Sequence, residues 1–169
     1  LGHQVLEEGV TPTTAQIHLL IYGDAIRRET RPDGLQVVAA PAELLRDVHI
    51  VDTPGTNAIF REHERITAEF VPRSDFVLFV TSADRPFTES ERLFLAAVRD
   101  WGKTVVIILN KIDLIKKTRL LPLLQQYGAL GTFAEIVPVS AATGDNVDRL
   151  ERAIIDRLPE GEPLYAADY

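Results

Sequence analysis

The fold of this chain is best inferred outward from one stretch, Val48-His49-Ile50-Val51-Asp52-Thr53-Pro54-Gly55. Apolar and mostly β-branched residues, interrupted only by His49, lead directly into an acid, a proline and a glycine. This pattern predicts a buried strand that ends abruptly in a loop presenting a carboxylate. Because open α/β sheets bind ligands at the carboxyl ends of their strands, Asp52 is expected to lie at a binding site.

Two further apolar runs also end in polar clusters. Residues 104–109 lead into Asn110-Lys111-Ile112-Asp113, and residues 135–139 lead into Ser140-Ala141-Ala142. Each cluster alone is also compatible with an ordinary polar loop after a strand. Three strand ends, each with its own polar cluster, together predict one nucleotide site.

Strand and helix patterns alternate along the rest of the chain. Strands are predicted at 15–22, 48–51, 76–81, 104–109 and 135–139, and helices at 41–46, 62–70, 89–101, 117–127 and 147–158. Residues 26–34 are charged and carry the turn signal Pro32-Asp33-Gly34. The alternation predicts an α/β fold with a mainly parallel sheet flanked by helices.

Two of the predicted helices begin with capping signals. Thr88 and Glu91 have the spacing of a capping box, and Asn146 is expected to cap the last helix. The apolar faces of these helices are predicted to be Leu93, Phe94, Ala97, Val98 and Trp101 in the first, and Val147, Leu150, Ile154 and Leu158 in the second.

Composition indicates one globular domain with a core of its own, because 46% of the 169 residues are hydrophobic. The net charge of −7 argues against a surface that contacts nucleic acid. The chain has no cysteine, which excludes disulfides and thiolate metal sites and fits a cytoplasmic location. The four histidines share no metal-binding spacing and are expected to be structural. No apolar run is long enough to span a membrane.

The cluster Asn110-Lys111-Ile112-Asp113 has the chemistry of a guanine site. A carboxylate held at a strand end can accept hydrogen bonds from the N1–H and 2-amino groups of guanine. Adenine lacks this donor pair and would leave the acid unpaired. Asn110 can tie neighbouring loops together, the stem of Lys111 can cover the base, and Ser140 and Ala141 add backbone donors near it.

The cluster Asp52-Thr53-Pro54-Gly55 suits the phosphate end of a nucleotide. Asp52 can hold Mg²⁺ through water, because this ion prefers oxygen ligands and keeps part of its hydration shell. The backbone N–H of Gly55 can approach a terminal phosphate closely, and Thr53 is assigned to the same nucleotide-binding loop.

In their order along the chain, the three clusters resemble the DxxG, NKxD and SAx motifs of translation-factor-related GTPases. More closely, residues 51–57 and 82–91 resemble bacterial dynamin-like GTPases, and residues 6–14 are similar to the first switch of dynamins and mitofusins. The C-terminal part, residues 138–161, is more similar to Era-type ribosome-assembly GTPases.

The dynamin resemblance implies hydrolysis of GTP to GDP and phosphate with Mg²⁺. By position in the motif, Thr14 corresponds to the threonine that caps Mg²⁺ and the γ-phosphate, with Thr11 as the alternative, and Gly55 joins it as a catalytic position. Thr56 stands where Ras-like proteins have glutamine, which fits charge compensation through a nucleotide-dependent homodimer. Membrane remodelling is implied through regions outside this chain, with a cytoplasmic or peripheral membrane location and no direct nucleic-acid contact.

No G-x-x-x-x-G-K-[ST] phosphate-loop motif occurs in the sequence. In the family, that loop, with the first strand and first helix of the P-loop GTPase fold, lies upstream of where Leu1 begins. The expectation is therefore a truncated G domain at residues 1–158, with 159–169 as a linker toward a missing C-terminal region. Such a piece is expected to bind GTP poorly and to hydrolyse it hardly at all. Two alternatives stay open: an Era-type GTPase, and a nucleotide-sensing scaffold that does not hydrolyse GTP.

Overall fold

A computed structural model describes residues 17–32, 34–53, 70–100 and 102–158. The described residues up to Arg73 form one compact unit, and those from Ser74 onward form a second. Within the described parts of the chain, no helix is both long and apolar enough to cross a membrane.

The first unit is built on a four-stranded sheet in the order β2-β3-β1-β4. Its strands are β1 (His18–Tyr22), β2 (Arg27–Thr30), β3 (Gln36–Ala40) and β4 (Ile50–Asp52). β3 runs parallel to β1, whereas β4 is antiparallel to β1 and β2 is antiparallel to β3. A 3-10 helix at Glu43–Arg46 confirms the short helix predicted at 41–46, and its Leu45 is fully buried against β1 and β3.

Strands β2 and β3 were missing from the sequence-based prediction, which had only a charged segment with a turn at 26–34. The turn is present: Arg31 N–H donates to Leu35 O and Gly34 N–H donates to Arg31 O, both at 2.9 Å. All four residues of β2 are exposed, so this edge strand has no alternation of apolar and polar residues. The strand β2 forms because its backbone pairs with β3, and the local sequence gives no sign of this pairing.

The second unit confirms the predicted parallel sheet with helices. Its elements are β5 (Phe76–Ser82), α1 (Glu89–Asp100), β6 (Thr104–Asn110), α2 (Lys117–Leu130), β7 (Glu135–Pro138) and α3 (Val147–Ile155). The strand order is β5-β6-β7, and both strand pairs are parallel. Helix α2 continues three residues beyond the predicted end at 127, despite Pro122 in its interior.

The central strand β6 separates two apolar layers. Val105 to Leu109 are all buried, because β6 pairs with a strand on each side and is covered on both faces. Ile107 and Leu109 pack with Tyr127 of α2, whereas Val106 and Ile108 pack with Ala153 of α3. The alternation of side chains along one strand therefore supplies both layers of the core.

The capping box of α1 is confirmed, but the prediction of its apolar face was partly wrong. Glu91 N–H donates to Thr88 Oγ1 at 3.3 Å, and Thr88 N–H donates to Glu91 Oε2 at 2.9 Å. Leu93 is 65% exposed, whereas Leu95 is buried, so the buried stripe is rotated from the predicted one. Phe94, another residue of the predicted face, stacks on Phe79. The described structure does not include the side chains of residues 97 and 98 or any part of residue 101.

Asn146 occupies the N-cap position of α3 without capping it. Its backbone is left-handed, with φ of 62°, and its Nδ2 donates backwards to Pro138 O at 2.9 Å. In the same helix Val147 is exposed, contrary to prediction, and Ala153 is the buried residue. Asn146 therefore fastens the start of α3 to the end of β7 rather than satisfying the amides of the helix.

Candidate functional site

Backbone hydrogen bonds lock together the carboxyl ends of the three strands of the second unit. Ala83 N–H donates to Asn110 O at 2.8 Å, and Val139 N–H donates to Leu109 O at 2.9 Å. Ile112 N–H, in the loop after β6, donates to Val139 O at 3.2 Å. The loops that follow β5, β6 and β7 therefore meet at one edge of the sheet.

Asn110 ties two of these loops together, as predicted. Its side-chain Oδ1 accepts the backbone N–H of Lys111 at 2.7 Å and that of Ala141 at 3.0 Å. The first bond holds Lys111 in a left-handed conformation, with φ of 61°, which is uncommon for a residue with a side chain. The second bond joins the loop after β6 to the loop after β7.

Asp113 is oriented by a residue from the neighbouring loop. Ser140 is fully buried, and its Oγ donates to Asp113 Oδ1 at 2.6 Å while accepting from Thr143 N–H at 3.2 Å. Asp113 itself lies on the exposed surface. A carboxylate has about four acceptor positions, so this bond fixes the group and leaves acceptor capacity toward solvent.

Sequence reasoning assigned Ser140 and Ala141 a different role, as backbone donors to a base. In the structure, Ser140 N–H donates to Asp145 O at 3.0 Å and Ala141 N–H donates to Asn110 Oδ1. Both amides are thus engaged in closing the loop, and the functional group missed from the sequence is the hydroxyl of Ser140. A serine beginning a loop after a buried strand gives no local sign of its distant partner.

The third segment at this edge of the sheet is the loop after β5. Ser82 lies directly opposite Asn110 in the parallel register, and its Oγ donates to the carboxylate of Asp84. This hydrogen bond, followed by the positive charges of Lys111 and Arg85, holds the pKa of Asp84 below its ordinary value, although partial burial opposes the effect. Asp84 was not assigned to a site from the sequence.

Asp52 and Thr53 belong to the first unit. The strand β4 is shorter than predicted, and Asp52 is its last residue rather than the first residue of a loop; Thr53 follows it and is exposed. His18 lies opposite Asp52 on β1, with its Nδ1 3.9 Å from Asp52 Oδ2. Burial raises the pKa of Asp52, and the nearby His18 offsets this only in part.

The surroundings of Asp52 fit a magnesium ion held largely by water. Its carboxylate is half-exposed at a strand end, and Mg²⁺ is commonly bound by one or two carboxylates while keeping several waters. Among the described residues, no group of three or more His, Cys, Asp or Glu is arranged to hold a metal. The two other residues predicted for this end of the nucleotide, Thr14 and Gly55, lie outside the described residues, as does most of the helix predicted at 62–70.

Comparison with known proteins supports both resemblances inferred from the sequence. The chain is 50% identical over 124 residues to a probable transmembrane GTPase, FZO-like and chloroplastic, from Arabidopsis thaliana, covering 70% of this chain and 14% of that protein. It is 37% identical over 125 residues to the GTPase Era of Geotalea daltonii, covering 70% of this chain and 41% of Era. The chain thus spans less than half the length of these relatives.

The fold is similar to that of an oligomerised bacterial dynamin pair implicated in sensing and tethering membranes. That structure aligns with 87% of this chain, and with 30% of its own chain, at a TM-score of 0.61 and 18% sequence identity. The mixed α/β fold with a parallel sheet is therefore that of the GTPases. The family model of the Dynamin family matches residues 28–112, which is half of the chain. The chain belongs to the dynamin family.

Proposed function

We propose that this chain is the guanine-nucleotide-binding part of a dynamin-like GTPase. The observation that carries the proposal is the 2.6 Å hydrogen bond from Ser140 Oγ to Asp113 Oδ1. This bond orients an exposed carboxylate beside two loops that are joined through Asn110, which supports a role for Asp113 in base recognition. A base-reading group must be held rigidly if it is to discriminate between bases.

In this proposal Asp113 selects the base. Its carboxylate accepts hydrogen bonds from the N1–H and 2-amino groups of guanine, whereas adenine presents an acceptor at N1 and no 2-amino donor. The aliphatic stem of Lys111 covers the face of the base while its ammonium stays in water. Asn110 keeps the two loops at a fixed separation.

The phosphate end is proposed by family resemblance. Asp52 would hold Mg²⁺ through water, and the bound ion would neutralise part of the negative charge of the phosphates. Thr53 would belong to the same loop, Gly55 would bind the terminal phosphate through its N–H, and Thr14 would help to hold the ion and the γ-phosphate. Water attacks the γ-phosphate to give GDP and phosphate.

The cellular role and the domain boundary are further parts of the proposal. Residues 1–158 are assigned to the G domain and 159–169 to a linker. A link to membranes is supported by two similar proteins, a probable transmembrane GTPase and a bacterial dynamin pair that senses and tethers membranes. The oligomerised state of that pair also supports a nucleotide-dependent homodimer, in a cytoplasmic protein that associates peripherally with membranes.

An Era-type function is the second candidate, and the 37% identity to Era favours it. The 50% identity to the FZO-like GTPase and the family match at residues 28–112 favour the dynamin-like role. Because both candidates bind guanine nucleotides, the base-selectivity test applies to either. Binding of the full-length protein to anionic vesicles, compared with ribosomal RNA, separates them.

The proposed function is tested by equilibrium binding of fluorescent GDP, ADP and XDP to the purified chain. We expect preference for GDP, and we expect Asp113→Asn to shift the preference toward XDP, because an amide can donate to the 2-oxo group of xanthine. Asp148→Asn, the same change at an exposed ion pair on α3, should leave the preference unchanged. A well-folded chain, by circular dichroism, that does not distinguish GDP from ADP would overturn the proposal.

A further inference from the structure

We propose that His18, on β1, is a positioning residue that orients the carboxylate of Asp52 toward a bound magnesium ion. The inference rests on the proposed function and concerns its phosphate end. His18 acts on the ion only through Asp52, by a hydrogen bond that its Nδ1 donates to that carboxylate.

The sheet of the first unit places the two side chains next to each other. β1 and β4 are antiparallel, and His18 is paired directly with Asp52 in their register. Side chains of directly paired residues project from the same face of a sheet. His18 Nδ1 lies 3.9 Å from Asp52 Oδ2, which is about 1 Å longer than a hydrogen bond from nitrogen to oxygen.

His18 is held firmly on its side of this pair. The strand β1 is an inner strand, with β3 on one side and β4 on the other. The next two residues, Leu19 and Leu20, are buried in the core. The side chain of His18 is 13% exposed, so the ring as well as the backbone is restrained.

The Nδ1 atom of His18 is buried and makes no hydrogen bond within the described part of the chain. A buried polar atom without a partner is costly, and most such atoms in folded proteins are paired. The carboxylate of Asp52 is an acceptor within reach and is 45% exposed, so it can move where the histidine cannot. The missing hydrogen bond therefore forms when Asp52 shifts by about 1 Å toward His18.

Binding of a cation favours this hydrogen bond. A carboxylate has about four acceptor positions, so a bond to His18 leaves the others for the water molecules that surround the ion. Residues that hydrogen-bond to metal ligands fix the orientation of those ligands, and their loss typically weakens metal binding about 10- to 100-fold. His18 is placed to act on Asp52 in this way.

The test compares two substitutions of His18. His18→Phe keeps a ring of similar size without the donor, whereas the amide nitrogen in His18→Asn replaces Nδ1 as a donor. Mg²⁺ is titrated into each purified chain with fluorescent GDP present, at one fixed pH, and the apparent affinity for Mg²⁺ is measured. His18→Phe should weaken Mg²⁺ binding about tenfold, and His18→Asn should recover most of the affinity. His49→Phe, the same change directly before β4, is the matched control and should bind Mg²⁺ as the wild type does.

Measurements without metal separate positioning from an ordinary structural role. Because Nδ1 makes no bond with the described residues, His18→Phe should not lower the midpoint of urea unfolding in EDTA. The affinity for GDP in EDTA should also be unchanged. In the wild type, long-range ¹H–¹⁵N spectra of the imidazole should show a proton on Nδ1, with a resonance that moves when Mg²⁺ and GDP are added.

An unchanged Mg²⁺ affinity in His18→Phe, or an equal loss in His18→Phe and His18→Asn, would overturn the inference. A wild-type chain that binds GDP equally well in Mg²⁺ and in EDTA would overturn the magnesium role of Asp52, and the inference with it. A wild-type chain that fails to select GDP over ADP would instead overturn the proposed function.

Discussion

Ser140 and Asp113, separated by 27 positions in the chain, are joined by a hydrogen bond of 2.6 Å between Ser140 Oγ and Asp113 Oδ1. The serine is fully buried and the acid is exposed. A hydrogen bond to an ionised acceptor is short and roughly twice as strong as one between neutral groups. The orientation of the exposed carboxylate is therefore set from inside the protein, by a loop that follows a different strand.

Ser140→Ala is expected to damage both binding and stability. It removes the bond to Asp113 and leaves the Thr143 N–H without its acceptor, so the free energy of unfolding should fall by roughly 1–3 kcal/mol. GDP affinity should fall about tenfold, because Asp113 then rotates freely. Urea unfolding and fluorescent-GDP titration measure the two effects.

Thr118→Ala, which removes an exposed hydroxyl near the start of α2, serves as the control and should change neither quantity measurably. An unchanged GDP affinity in Ser140→Ala would contradict the orienting role of the serine, whatever happens to stability.

Thr81→Val should destabilise the second unit, because Thr81 links strand β5 to helices α1 and α2. Thr81 Oγ1 donates to Glu91 Oε1 of α1 at 2.6 Å and lies 3.0 Å from the hydroxyl of Tyr127 on α2. Because both partners lose a bond while staying at least partly buried, a loss of roughly 1–3 kcal/mol is expected in urea unfolding. Thr104→Val, at an exposed position of β6, is the matched control; an equal loss there would show that the network contributes nothing specific.

Tyr127 should make stability depend on alkaline pH. Burial raises its pKa above the ordinary 10.0, and the bond with Thr81 opposes this only in part. The unfolded chain therefore ionises first, and the contribution is complete below the unfolded pKa and lost as pH rises through the folded pKa. The stability advantage of the wild type over Tyr127→Phe should shrink in urea unfolding as the pH rises above about 10, the ordinary pKa of tyrosine. A difference that stays constant above this pH would refute the prediction.

Leu109→Ala is expected to cost roughly 2–5 kcal/mol, because it opens a cavity beneath the site. Leu109 is fully buried in the layer that contains Tyr127. Leu121→Ala, the same change at a side chain that is 64% exposed, should alter stability by less than about 0.5 kcal/mol. Thermal and urea unfolding are to be measured for both variants. Similar losses of stability would contradict the buried position of Leu109.

Local pattern was sufficient for the type and order of the strands and helices in the second unit. The runs that form β5, β6 and β7 are mostly apolar, and most strongly so in β6, which is covered on both faces. The helices between them show their own periodicity. The capping box at Thr88 and Glu91 was readable because both partners lie within one turn. The cluster from Asn110 to Asp113 was readable because its residues are adjacent.

Local pattern failed where a distant partner sets the conformation. The exposed edge strand β2 forms because β3 pairs with it, and Asn146 turns back to Pro138 because the end of β7 lies beside it. The face of α1 includes Leu95 rather than Leu93 because the sheet beneath it fixes the rotation of the helix. None of these causes is contained in the residues themselves.

The sequence by itself determined the α/β class and the parallel sheet, and it supplied the residues of the proposed guanine site, because periodicity and short motifs are properties of neighbouring residues. Only the tertiary structure decided that Ser140 orients Asp113 and that Asn110 bonds to Ala141. Each of these pairs joins two loops, and their distances depend on the register of the strands that carry the loops. That register is set by packing of the whole core, which no local stretch encodes.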